Sequence, residues 1–177
     1  MAILAKVGVL STEQDLVAGA AASENQIVDY AVVGSGPADL WWVIETETVH
    51  DGNGGTSSTY TFSLRVATST ALTTYKEVLS VVITGALDKR LLTAGKQIVA
   101  ANVGTMLIQA IKDFRTEQSL ADTDDVYIGI MSTLADGNGD ANISINASLM
   151  PGKPRTEDSA ITVNSNVSVP GFASAGS

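Results

Sequence analysis

The chain has 177 residues, no cysteine and a formal charge of -9, with 45% of its residues hydrophobic and 16% charged. That length suits one domain with a sizeable core, and the missing cysteines exclude disulfides, thiolate metal sites and cysteine nucleophiles. Ten scattered basic residues against nineteen acidic ones argue against a nucleic-acid partner, which needs clustered lysine and arginine.

No apolar run approaches the ~20 residues of a membrane span, and MAILAKVGVLSTEQD lacks the leader and cleavage pattern of a secretory signal. The expectation is a protein made in a reducing cytoplasm with no membrane partner. Residues 1–15 read as a weakly patterned N-terminal arm. Leu16-Val17-Ala18 then forms a short apolar run that Gly19–Ser23 interrupts. Asn25 to Val33 alternates as a strand and stops at Gly34-Ser35-Gly36-Pro37. This glycine pair is not a dinucleotide fingerprint, because the third glycine is missing and a strand follows where a helix should open.

Asp39 to Thr68 is the most strongly patterned stretch. Leu40, Trp42, Ile44, Thr46 and Thr48 share one face and Trp41, Val43, Glu45 and Glu47 the other. On the return, Tyr60, Phe62, Leu64 and Val66 oppose Thr61, Ser63, Arg65 and Ala67. The period of two predicts half-buried strands, and the Asp51-Gly52-Asn53-Gly54-Gly55 turn between them predicts an antiparallel hairpin. Ser69–Thr74 reads as a turn, Tyr75–Ile83 as a strand, Thr93-Ala94-Gly95 as a turn, and Lys96–Asn102 as a strand.

From Gly104 to Ser119 the period changes. Met106, Leu107, Ala110, Ile111 and Phe114 form a helical stripe with Lys112, Asp113, Arg115 and Glu117 off it, predicting a crossover helix packed on a sheet. After an acidic turn at 121–125, Val126–Leu134 and Ala141–Met150 alternate on either side of Asp136-Gly137-Asn138-Gly139-Asp140, predicting a second hairpin. Beyond Met150 come three of the four prolines, Pro151, Pro154 and Pro170, a charged patch from Lys153 to Asp158 and a thinly apolar stretch from Ile161 to Val169. This segment is too poor in apolar surface for its own core, and it reads as a flexible terminus or as an extended arm on a neighbouring subunit.

The predicted architecture is all-β: a jelly-roll or β-sandwich domain of about eight antiparallel strands over 16–150, one short crossover helix, and arms at 1–15 and 151–177. No catalytic set emerges. Asp136, Asn138 and Asp140 match the start of a calcium loop, but Ala141 and Ala147 stand where glycine and the bidentate glutamate belong. His50 beside Asp51 lacks a nucleophile elbow, and Glu45 with Glu47 could serve a glycosidase only in a cleft. Neither a metal nor a cofactor is expected. Trp41, on the face opposite Trp42, is a candidate for a protein interface or a sugar platform.

Gln14 to Asp29 (Q-x-L-V-A…S-E-N-x-I-V-D), Tyr60-Thr61-Phe62-Ser63-Leu64, the Leu79–Gly95 segment ending in Thr93-Ala94-Gly95-Lys96, and Val126-Tyr127-Ile128-Gly129 together resemble the capsid cement proteins of tailed phages. The resemblance spans about residues 11 to 150. It implies a non-enzymatic jelly roll on the outer surface of an icosahedral virion shell, where it binds the major capsid protein and stabilises contacts between capsomers, itself as a homodimer or homotrimer. The chain departs from the pattern in Met106–Asp125 and in the tail. Candidate contact residues are Trp41, Pro151, Pro154, Arg155, Val167, Val169 and Phe172. The alternative is a carbohydrate- or receptor-binding virion module built on Trp41.

Overall fold

A computed structural model of the chain describes residues 8–17, 19–29, 39–50, 59–84, 97–135 and 142–152. These form β1 (Gly8–Val17), β2 (Gly19–Ala22), β3 (Ile27–Asp29), β4 (Leu40–His50), β5 (Thr59–Ala67), β6 (Tyr75–Thr84), β7 (Gln97–Asn102), α1 (Gly104–Gln118), β8 (Val126–Ala135) and β9 (Asn142–Pro151). One sheet has the order β1-β9-β4-β7. The other runs β2-β8-β5-β6, with β3 also paired to β8. Every pairing is antiparallel. β2 and β3 lie on the same side of β8, against Met131–Leu134 and Val126–Ile128, so they act as one strand interrupted at residues 23–26.

The pairings nest. β5 pairs with β6, β4 with β7, β2–β3 with β8, and β1 with β9. The chain is therefore one long folded ribbon whose layers alternate between the two sheets, the jelly-roll arrangement of antiparallel strands. Both expected hairpins at the glycine-rich turns are corrected by this topology. β4 and β5 lie in opposite sheets, as do β8 and β9, because alternation reports which face of a strand is buried and says nothing of its neighbour. The hairpin that does form is β5–β6, through residues 68–74.

The faces follow the alternation. Leu40, Trp42, Ile44 and Thr46 of β4 and Tyr60, Phe62, Leu64 and Val66 of β5 are each at most 1% exposed. They join Val126, Ile128, Ile130, Ile143, Ile145 and Leu149 in one core. The helix adds Leu107, Ala110, Ile111 and Phe114 to that core and packs against β6 and β5. Asn102 Oδ1 accepts the Gly104 N–H at its start, and Ser119, in the left-handed region at φ 54°, closes its end. At that end Lys76 bridges to Glu117 and to Asp113 at 3.9 Å, and the hydrogen bond it donates to the Glu117 carboxylate raises the lysine pKa above its ordinary 10.5.

The N-terminal arm is also corrected: residues 8–15 belong to β1, paired with β9 from Gly8↔Leu149 to Val17↔Asn142. The weak pattern has a physical cause in two register breaks, between Val9 and Ser11 and between Ser11 and Gln14, with Glu13 at φ 49°. Each break inverts the expected side-chain parity. Residues 1–7 lie outside the described ones, as do Pro154, Arg155 and the rest of the C-terminal stretch from 153.

The β1 and β2–β3 edges are laced together. Asn25 N–H donates to Leu10 O at 2.9 Å and Gln14 Nε2 to Ala22 O at 2.8 Å. Ser23 holds the interruption on β8: its N–H donates to Ile130 O at 2.7 Å, its Oγ accepts the Ile130 N–H at 3.1 Å and donates to Asn25 O at 2.9 Å. Ser23 is 4% exposed. Ser23→Ala therefore leaves a buried N–H without its acceptor and is expected to cost about 1–3 kcal/mol by urea unfolding.

Candidate interaction surface

The outer face of the β1-β9-β4-β7 sheet gathers side chains that are far apart in sequence. Register places Trp41 between Met150 and Asn102, Val43 between Ser148 and Ala100, and Glu45 between Asn146 and Gln97. Val9 lies opposite Ser148 on the far side of β9. Val9, Ser11, Val43, Gln97, Asn146 and Met150 line a shallow depression of about 430 Å³. Its lining is mixed, apolar at Val43, Ala147 and Met150 and polar at Ser11, Gln97 and Asn146, with Val43 5% exposed and Val9 51% exposed.

Polar atoms on this face are held in place. Asn146 Oδ1 accepts the Glu13 N–H at 2.9 Å while its Nδ2 donates to Glu47 Oε2 at 3.1 Å. Ser11 Oγ donates to Gln14 Oε1 at 2.6 Å. Trp41 Nε1 donates to Asp39 Oδ1 at 2.5 Å, and Asn102 Nδ2 approaches the same oxygen at 3.4 Å. Gln97 Oε1 is buried and has no partner among the described residues. The described charges lining or flanking the depression, Glu45, Glu47 and Asp39, are all negative; the described cations Arg65, Lys76, Lys112 and Arg115 stand on β5, β6 and α1. A shallow depression of mixed polarity with acidic flanks suits a flat macromolecular surface better than a small substrate, which needs deep enclosure.

Of the residues singled out from sequence, Trp41 is half-buried on this face and Pro151 is exposed at the end of β9, opposite Leu40. Pro154, Arg155, Val167, Val169 and Phe172 lie outside the described residues, as do Asp51, Asn53 and the Asp136–Asp140 loop. Glu45 and Glu47 are exposed on the outer face of β4, and Glu45 lines the shallow depression. Among the described residues no group of three histidine, aspartate or glutamate side chains is placed to hold a metal. Val9, Gln97, Ser148 and Met150 were missed from sequence because only the nested pairing brings them together.

Arg115, which lies off the apolar stripe of the helix, is only 5% exposed. Its guanidinium donates to the carbonyls of Ala121 and Asp124, tying the acidic turn to the helix end. No family model matches this chain, and no curated protein matches it.

Proposed function

We propose that this chain is a non-enzymatic capsid cement protein, which binds the outer surface of an icosahedral phage shell and stabilises contacts between major capsid protein capsomers. The observation that carries this reading is the outer face of the β1-β9-β4-β7 sheet, a shallow depression of mixed polarity whose polar side chains are held by hydrogen bonds and whose flanks are acidic. A preformed face of that kind loses little side-chain entropy on docking, and its charge favours a neutral or basic protein surface. The jelly-roll topology agrees with the resemblance of residues 11 to 150 to cement proteins, although one fold serves many functions. By mass action, a subunit that binds only the assembled shell raises the temperature at which capsomers separate.

The test is addition of purified protein to shells lacking it, read by co-sedimentation and by the shell dissociation temperature. Binding with a raised dissociation temperature is expected, and Val9→Asp, at an exposed rim position, is expected to weaken binding about tenfold or more while leaving the protein's own melting temperature within a few degrees. Absence of binding to such shells overturns the reading. Glycan binding in its place, lost in Trp41→Ala, would establish the carbohydrate-binding alternative; against that alternative, the Trp41 N–H is already engaged by Asp39.

A further inference from the structure

Along β4 the outer face of the sheet changes character. Trp41, Val43, Glu45 and Glu47 follow one another there, about 7 Å apart as successive residues on one face of a strand are. Val43 lines the depression beside Val9 and Met150, whereas Glu45 and Glu47 are exposed. Both carboxylates lie beside one amide. Glu45 is opposite Asn146 in register, and Glu47 Oε2 accepts the Asn146 Nδ2–H at 3.1 Å. The depression therefore has aliphatic side chains toward the start of β4 and a carboxylate pair toward its end.

The charge on this face is unbalanced. β1, β4, β7 and β9 carry Glu13, Asp15, Glu45 and Glu47 and contain no lysine or arginine. Both ion pairs among the described residues belong to Lys76 of β6, in the other sheet. The helix acids Asp113 and Glu117 thus have a cation, and the acids of this face have none among the described residues. Glu45 has neither an ion-pair nor a hydrogen-bond partner among them. On its other side, in register with it, is Gln97, whose buried Oε1 lacks a donor among the described residues, and a turn of that amide meets a donor that enters the depression. Uncompensated carboxylates and an unmet acceptor call for a positively charged donor from a partner.

We propose that this depression receives an arginine side chain of the partner protein, its aliphatic stem over Val43 and Met150 and its guanidinium at Glu45 and Glu47. The proposal rests on the reading of this face as the one that docks on the shell, and it names the chemistry the shell protein presents there. An arginine is apolar along its stem and cationic at its tip, the same order in which the depression changes along β4. Its planar fork donates to two carboxylates at once and sheds water more readily than an ammonium group does.

The test uses the full-length chain, E45Q/E47Q, and D122N/D125N as a control that removes the same charge from the exposed turn after the helix. Glu47→Gln keeps an acceptor for Asn146, and both double variants are expected to melt within a few degrees of the unaltered chain. In co-sedimentation with shells at about 20 mM salt, E45Q/E47Q is expected to bind about tenfold or more weakly and D122N/D125N within about twofold of the unaltered chain, with the difference closing at about 0.5 M salt. Without shells, an acetylated Gly-Arg-Val-Arg-Gly peptide is expected to shift the NMR amide signals of Val43, Glu45, Gln97 and Asn146. The same peptide with citrulline for arginine is expected to leave them in place, as is the arginine peptide added to E45Q/E47Q. Equal shifts from the citrulline peptide, no shifts from the arginine peptide, or equal weakening in the control each overturns the inference. So does self-association that E45Q/E47Q abolishes, which would make a second copy the occupant. Shell binding that E45Q/E47Q leaves unchanged would sink this inference alone, and arginine-peptide shifts in a protein that ignores shells would sink the cement reading alone.

Discussion

Replacing Trp42 by alanine is expected to lower the unfolding free energy by about 3–5 kcal/mol, read by urea denaturation, a large share of the total for a domain of this size. Trp42 is fully buried and lies in register between Ala101 of β7 and Leu149 of β9. It is among the largest fully buried side chains, and with strands on both sides the backbone has little freedom to collapse into the space. The buried Nε1 has no partner among the described residues, so Trp42→Phe removes an unmet donor along with some contact area and is expected to cost less than half as much as Trp42→Ala. Trp41, one residue away on the outer face and half-buried, is the internal control. Trp41→Ala is expected to cost less than about 1.5 kcal/mol. Equal losses at the two tryptophans would mean that the assignment of faces on β4 is wrong.

The contrast between these neighbours was legible in the sequence, because a period of two needs only local sterics to put Trp42 with Leu40 and Ile44. The helix was legible for the same reason: Leu107, Ala110, Ile111 and Phe114 lie at helical spacing and all four are buried. What local pattern does not carry is pairing. The apolar faces of β4 and β5 are equally well buried whether the strands lie side by side or face each other across the core, and here they face each other. Arg115 escaped for a related reason. A charged side chain off the apolar stripe reads as solvated, and only the turn of 121–124 folding back over the helix end gives its donors carbonyl acceptors. The candidate surface was half legible: Trp41, Val43, Glu45 and Glu47 come from one strand, while Val9, Gln97 and Met150 reach them through pairings between distant segments.

Shortening the β4–β5 connection separates the two topologies directly. Eight residues, 51–58, join His50 to Thr59. Reducing them to Asn-Gly would make a favourable two-residue turn if the strands were hydrogen-bonded neighbours about 4.8 Å apart, and the protein would gain stability. Because the strands lie in facing sheets about 10 Å apart, the same two residues would have to run nearly straight across the gap, with no slack to reverse the chain. The shortened protein is expected to lose its cooperative thermal transition or to melt at least ~15 °C lower, as a loss of several kcal/mol in a domain of this size requires. The damage should not stay local. β4 pairs with both β9 and β7, and β5 with both β6 and β8, so displacing their shared end strains both sheets, and the outer face that holds Val43 and Glu45 over Asn146 would go with them. A shortened chain that melts at the same temperature or higher would mean that β4 and β5 are hairpin neighbours, and the nested ribbon would have to be abandoned together with the surface built on it.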